Sequence, residues 1–340
     1  MIKKRISRKL LVRVHGSKSI GLGHVYNMLT LMEKFPNDEI LIIMPKNASL
    51  GINKFKKMKL KTKIFSSENE FKKILKVFNP NIIFNDVLDT DKSYIDSLKK
   101  QKIFVVNFED LGIGRKSADL VFNPIYFRKN NLKKEFYGEH FACVRNEFRQ
   151  NIPFKLRKKV KHIVISLGGV DSNNNTEKIL KIIFNEQILK NIKITVLLGS
   201  GYTSKATLLK TIKKMSLQDY DLNLIEKTDR ISKIFLNSDF IISSNGRTIF
   251  EIVSLKIPLI SLAVNERESK HEFVKKYKIG LFSNFYKNKN ELKTLISSML
   301  VYDLRKKFHD EQIFLDLSNG INIVLEKIES EYKNFVTKQE

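Results

Sequence analysis

Apolar and polar positions along the 340-residue chain come in alternating blocks, and the blocks predict strands and helices in turn. Leu10–Val14, Glu39–Met44, Asn81–Asp86 and Lys102–Asn107 are short, nearly unbroken apolar runs, the second ended by Pro45. Such runs mark strands buried on both faces, as in a parallel sheet. Lys63–Phe65 and Ala118–Pro124 are weaker members of the series. Between these strands, residues 25–35, 70–78 and 93–100 carry apolar positions at helical spacing. A second series follows. Its strands are His162–Leu167, Ile192–Leu198, Leu222–Ile225, Phe240–Ser243 and Pro258–Val264, and its helices cover 177–185, 203–215, 231–236, 249–255 and 270–277. Gly280–Phe282 closes that series, and residues 291–336 read as helices with a break at Asp316–Gly320. A polar, basic stretch from Asn146 to Lys161, carrying Pro153 and Arg157-Lys158-Lys159, separates the two series as a linker. The expected fold is α/β, with two doubly wound Rossmann-like domains facing a central cleft. They would cover residues 1–150 and 151–320, with a C-terminal helix and tail over 321–340.

The chemistry concentrates where strands give way to helices. Ser19-Ile20-Gly21-Leu22-Gly23-His24 lies between the first strand and the first helix. Gly21 and Gly23 allow a tight turn and a close approach to a ligand. His24 falls at the helix start, where the dipole favours a neutral imidazole able to accept a proton. His24 is therefore the candidate general base. Asp86 and Glu109-Asp110 stand at the carboxyl ends of later strands, the edge at which parallel sheets bind ligands. Each carboxylate taken alone also suits a helix cap or a turn. In the second series, Gly168-Gly169-Val170-Asp171 opens a glycine-rich turn fit to cradle an anion. Ser244-Asn245-Gly246-Arg247-Thr248 forms another turn, with Glu251 early in the helix that follows. Taken by themselves, Asp171 suits a turn, Arg247 a solvated side chain, and Asn265-Glu266 a strand-ending loop. His15, His140, His162, His271 and His309 lack a glycine context and read as ordinary surface or core residues.

Composition narrows the classes. No apolar run reaches the roughly 18 residues of a membrane helix, and the basic start Met1–Lys9 precedes too short an apolar run for a signal peptide. The single cysteine, Cys143, rules out an internal disulfide and fits a reducing cytoplasm. No Cys and His cluster has zinc spacing, so no metal is expected. The net charge of +26 comes with abundant Lys, Ile, Asn and Phe, the mark of an AT-rich coding bias, and this outweighs any one partner as its explanation. No nucleic-acid-binding motif stands out, so no nucleic-acid partner is expected. Contact of the basic N-terminus and Lys-rich helices with an anionic membrane stays open.

Ile20-Gly21-Leu22-Gly23-His24, Gly168-Gly169-Val170-Asp171, Ser244–Thr248 with Glu251, and Asn265-Glu266 together resemble the GT-B-fold nucleotide-sugar hydrolases. These are the UDP-2,4-diacetamido-2,4,6-trideoxy-β-L-altropyranose hydrolase of pseudaminic acid synthesis and the related spore-coat-polysaccharide-type proteins. Asn107–Gly112 and Asn265–Glu268 look most like the spore-coat branch. The resemblance covers roughly residues 10 to 325, and more distantly extends to the lipid-linked GlcNAc transferase of peptidoglycan synthesis. It implies hydrolysis of a UDP-linked acetamido sugar to free sugar and UDP, in nonulosonic acid or surface-glycan synthesis, with inversion and no cofactor. It places Gly168, Gly169, Asp171, Ser244, Asn245, Gly246 and Arg247 near the diphosphate and Glu251 on the ribose. Gly21, Gly23, Asp86, Asn265 and Glu266 would hold the sugar, and His24 would activate water. Because the spore-coat branch is often attached to a CMP-sugar synthetase domain, a functional link to such an enzyme is implied. Two positions depart from the family. His15 stands where an acidic or small polar residue is usual, and Asn27 where an arginine is frequent. The alternatives are a GT-B glycosyltransferase with the same base and a sugar-nucleotide-binding protein without turnover.

Overall fold

The computed structural model describes residues 7–128, 133–150, 152–215, 220–226, 228 and 230–339. Most of the basic start, residues 1–6, lies outside them. The chain divides into two compact units, residues 1–143 with 319–340, and residues 144–318.

The first unit runs β1 (Lys9–Val14), α1 (Gly23–Met32), β2 (Glu39–Pro45), α2 (Ser49–Lys57), β3 (Thr62–Phe65), α3 (Glu68–Phe78), β4 (Ile82–Asp86), α4 (Lys92–Lys99), β5 (Phe104–Phe108), β6 (Leu120–Asn123) and β7 (Glu135–Tyr137). The seven strands form one sheet in the order β3-β2-β1-β4-β5-β6-β7, every neighbouring pair parallel. Alternation along β1 sends Leu10, Val12 and Val14 to one core and Leu11 to the other, so both sheet faces are covered and the strands read as unbroken apolar runs. Local signals set the helices. Ser67 caps α3 by accepting from the Glu70 amide at 3.2 Å, and the Glu70 carboxylate accepts from the Ser66 amide at 2.8 Å. The helix ends at Asn79 in the left-handed conformation, just before Pro80.

The second unit runs α5 (Asn146–Arg149), β8 (His162–Ser166), α6 (Asn175–Asn185), β9 (Lys193–Leu197), α7 (Lys205–Lys214), β10 (Asp221–Ile225), α8 (Ile231–Leu236), β11 (Phe240–Ser244), α9 (Thr248–Ser254), β12 (Leu259–Leu262), α10 (Glu266–Ser269), α11 (Phe273–Tyr277), β13 (Leu281–Ser283), α12 (Glu291–Met299) and α13 (Tyr302–Ile313). Its six parallel strands are ordered β10-β9-β8-β11-β12-β13.

The last helix, α14 (Gly320–Thr337), returns to the first unit. The sequence reading sets residues 321–340 apart as a C-terminal helix and tail, and the helix, α14, completes the first core with Ile321, Val324 and Ile328. Tyr332 and Phe335 meet Phe104 edge-on, and Glu329 pairs with Arg8, which also holds Asp38. Gly320 is required there, since a Cβ would sit 2.3 Å from the Ala142 carbonyl oxygen. The unit boundary falls at Val144, so the start of the expected linker is already the short helix α5 of the second unit.

Candidate active site

In each unit the strand order reverses once, between β1 and β4 in the first and between β8 and β11 in the second. Such switch points open a crevice at the carboxyl ends of the strands. The glycine turns of the sequence fall at these two places.

In the first unit, Gly21 takes a left-handed φ of +88° and its amide bonds the Ser17 carbonyl at 2.8 Å, closing the turn that leads into α1. His24 lies in the first turn of α1 and Asp86 ends β4, opposite Val14 of β1. The two meet with His24 Nδ1 2.5 Å from Asp86 Oδ1. Asp86 is fully buried and His24 is 6% exposed. The carboxylate can only accept, so Nδ1 carries a proton, and in the neutral imidazole the lone pair sits on Nε2. Asn27, on the same helix face as His24, donates to the other oxygen, Asp86 Oδ2, at 2.7 Å. The departure at position 27 thus has a structural part, holding the carboxylate that orients the histidine. Glu109 reaches within 3.8 Å of His24 Nδ1 from a left-handed backbone position, φ +51°, fixed by its amide on the Phe122 carbonyl at 2.9 Å. An imidazolium formed at His24 would therefore face two carboxylates.

His24, Asp86 and Glu109 offer donor atoms within 4.8 Å of one another, the span of a metal site. The chemistry of the donors fits an oriented base better. Both Asp86 oxygens are already taken by protein N–H groups, and an ion would have to displace the Nδ1 proton. Behind the site, Asp110 is buried and accepts from the Thr90 amide and hydroxyl, Asn107 Nδ2 and the Gly112 amide. It anchors the loop that carries Glu109 rather than facing a ligand. His15 follows β1, its Nε2 3.1 Å from Asn47 Oδ1, and burial pushes its pKa down, so it stays a neutral imidazole.

In the second unit, the cradle is built from missing side chains. Gly168, with φ +82°, follows β8, and Gly246 precedes α9. A Cβ at Gly168 would meet only Ser244 Oγ, at 3.7 Å, and one at Gly246 only Ser244 Oγ and Glu268 Oε1, each at 3.8 Å. Both turns thus leave open space around one hydroxyl and one carboxyl. Gly169 lies beside it and accepts from the Gly201 amide at 2.9 Å. Gly199 serves packing instead, since its Cβ would come within 2.3 Å of the Gly168 carbonyl oxygen.

The remaining sequence candidates take other places. The Asp171 carboxylate accepts from the Asn175 and Thr176 amides at 2.8 and 2.6 Å, so it caps α6. Asn245 is a buried hub: Nδ2 donates to the Glu268 and His271 carbonyls at 2.8 and 2.9 Å, and Oδ1 accepts from Ser261 at 2.8 Å. Arg247 is half-buried at the start of α9. Glu251 forms a two-pronged pair with Arg145, at 2.6 and 3.0 Å, and Arg145 also donates to Glu147 at 3.0 Å. A carboxylate has about four acceptor positions, so two remain for hydroxyls. Asn265 caps α10 by accepting from the Glu268 amide at 2.9 Å, and Glu266 is exposed on that helix beside Lys270.

The acidic residue turned inward from this loop is Glu268, which the sequence reading did not single out. Its Oε2 accepts from the amides of Val264 and Asn245, both at 3.1 Å. Burial, abetted by Asp171, pushes its pKa up to about 7. The pattern Asn265-x-x-Glu268 was the available signal, a capping-box spacing whose carboxyl reaches back to backbone amides. A folded-state pKa raised from 4.5 means that the folded protein holds a proton the unfolded chain has lost. Stability from this group is therefore complete below about pH 4.5 and is lost as pH rises through about 7. The wild type should lose on the order of 3 kcal/mol across that window relative to Glu268→Gln. Denaturant melts of the two proteins at a series of pH values check this; parallel curves would contradict it.

No protein-family model matches the chain. Over 287 residues it is 28% identical to an uncharacterized protein of Methanocaldococcus jannaschii, a match covering 79% of this chain and 58% of that protein. The chain therefore spans less than two thirds of that relative's length. Among solved structures it is similar to Acinetobacter baumannii MurG, at 11% identity and a TM-score of 0.64, covering 95% of this chain and 99% of that one. It is similar to the spinosyn rhamnosyltransferase SpnG, at 11% identity and 0.61, covering 94% and 100%. It is also similar to the UDP-GlcNAc 2-epimerase of Methanocaldococcus jannaschii, at 18% identity and 0.55, covering 94% and 99%. At these identities the likeness is one of fold: two parallel-sheet Rossmann-like units, as in GT-B proteins. The hydrolase family rests on the sequence resemblance alone.

Proposed function

We propose that this chain is an enzyme that breaks the bond between the anomeric carbon of a UDP-linked acetamido sugar and its diphosphate, with water as the acceptor. The observation that carries the reading is the buried Asp86 carboxylate 2.5 Å from His24 Nδ1, an arrangement that makes Nε2 a base. The fold supports it, because MurG, SpnG and the 2-epimerase share the architecture and the last is named for a UDP-sugar. In the reaction, His24 Nε2 takes a proton from water as the water oxygen bonds to the anomeric carbon. The carbon–oxygen bond to the diphosphate breaks with its electron pair on UDP, and the centre inverts. Asp86, steadied by Asn27, stabilises the imidazolium until its proton passes to solvent. The open space around Gly168, Ser244 and Gly246 would take the diphosphate, with Arg247 near it and Glu251 on the ribose hydroxyls. No metal or cofactor is required by this scheme. The free sugar would feed surface-glycan or nonulosonic acid synthesis, next to a CMP-sugar synthetase.

Transfer to a hydroxyl is the second reading. Leu111 and Ile113, 37% and 59% exposed, lie two and four residues after Glu109 and would offer an apolar acceptor a surface. No helix among the described residues is long and apolar enough to cross a membrane. The deciding assay is UDP release from a panel of UDP-N-acetylated sugars, with and without candidate acceptors. Release in water alone supports hydrolysis, and release only with an acceptor makes the chain a transferase. Interconversion of the sugar without release would make it an epimerase, and UDP binding without any of these would make it a binding protein.

A further inference from the structure

The carboxyl of Glu268 stands where a diphosphate is expected, which poses an electrostatic problem. It lies beside Gly246, in the same open space as Ser244 Oγ, and its other oxygen is pinned by the amides of Val264 and Asn245. Three elements surround it: the β8–α6 turn with Asp171, the β11–α9 turn with Arg247, and its own segment with Glu266, Arg267, Lys270 and His271. His271 turns Nδ1 to the Asn245 carbonyl at 2.6 Å, and Glu266 pairs outward with Lys270. The neighbouring charge that acts on the Glu268 carboxyl is Asp171, a like charge. An ionised Glu268 beside Asp171 would repel a bound diphosphate at short range in a poorly hydrated place.

We propose that Glu268 is a phosphate-binding residue that works as the neutral acid, donating its Oε1 proton to a diphosphate oxygen, so that the nucleotide and one proton bind together. The inference rests on the reading of this turn pair as the diphosphate site. Oε2 stays with the two amides, which fixes the carboxyl plane and aims Oε1 into the space between the glycine turns. The proton comes from solvent when the group is ionised in the empty protein. Its affinity for that proton, already raised to about 7 by burial, rises further once a phosphate dianion adjoins it. The site thereby discriminates against a diphosphate at alkaline pH.

Calorimetric titration of the full chain with UDP tests this, at about pH 7.5 in non-phosphate buffers of differing ionisation enthalpy. The wild type should take up about three quarters of a proton more per UDP than Glu268→Gln, the fraction of the carboxyl that is ionised at that pH in the empty protein. Its affinity should fall by up to about tenfold per pH unit above neutrality, while the variant stays flat. Protonation of UDP itself is common to both proteins and cancels. Equal proton uptake and equal slopes would overturn the proposal and leave UDP binding standing. Failure of the wild type to bind UDP at any pH would overturn the diphosphate site as well. Should Glu268→Gln fail to fold, Asp171→Asn keeps an acceptor for one of the two α6 amides and removes the like charge. The pH midpoint of UDP binding should then move to lower pH, and an unmoved midpoint would overturn the proposal.

Discussion

Replacing Asp86 with asparagine lowers kcat by about 10³–10⁴-fold and leaves UDP affinity within about twofold of the wild type. The size follows from the tautomer. Asp86 accepts from His24 Nδ1 and from Asn27 Nδ2, so both of its oxygens call for donors. An asparagine there presents an NH₂ group to one of the two. If that group faces His24, the proton moves to Nε2 and the base is lost where it is needed. If it faces Asn27, that amide must flip, and the charge that stabilises the imidazolium is gone either way. His24→Ala should cost about 10²–10⁴-fold, and the double variant little more than the worse of the two singles, because the pair acts as a unit. Single-turnover UDP release with calorimetric UDP affinity checks this. A loss of UDP binding in step with turnover would make Asp86 a folding residue and sink its catalytic role.

The largest stability effect is expected at Asn245. Alanine there removes three hydrogen bonds, two of them fully buried, and strands the His271 carbonyl and the Ser261 hydroxyl, while the Glu268 carbonyl keeps the His271 amide. Each stranded buried group costs about 1–3 kcal/mol, so a loss of about 3–5 kcal/mol is expected for a residue 2% exposed. Because Asn245 ties the turn after β11 to the loop after β12, the damage should spread to the Glu268 carboxyl and weaken UDP binding as well. Ser261→Ala, which loses one partner, should cost about 1 kcal/mol. Denaturant unfolding of both variants measures the difference, and an Asn245→Ala protein within 1 kcal/mol of wild type would show that water replaces the lost partners.

The frame was legible because parallel strands buried on both faces write themselves as unbroken apolar runs. Leu10–Val14, Asn81–Asp86, His162–Leu167 and Phe240–Ser243 could be read directly, and the glycine turns after three of them located the switch points. What escaped had weak or non-local signals. β7 is a three-residue edge strand. The helix α2 is lysine-rich and contains Gly51, which packs against Met44, Val25 and the Gly16 backbone. His24 could be singled out from its turn, whereas its link to Asp86 spans 62 residues and only the fold brings them together. The same holds for Arg145 on Glu251, 106 residues apart, and for α14 against β5. Glu266 drew attention over Glu268 because sequence alone does not say which way a short capped helix faces. Asn27 was visible as a departure, and its geometry shows why an amide suits that place.

The return of α14 to the first unit bears on how the protein is made. A ribosome releases the whole of residues 144–318 before the helix that completes the first core exists. The second unit can therefore close around its own contiguous chain during synthesis, whereas the first waits with the face meant for Ile321, Val324 and Ile328 still open. The part of the first core around Phe104 is thus among the last to be finished.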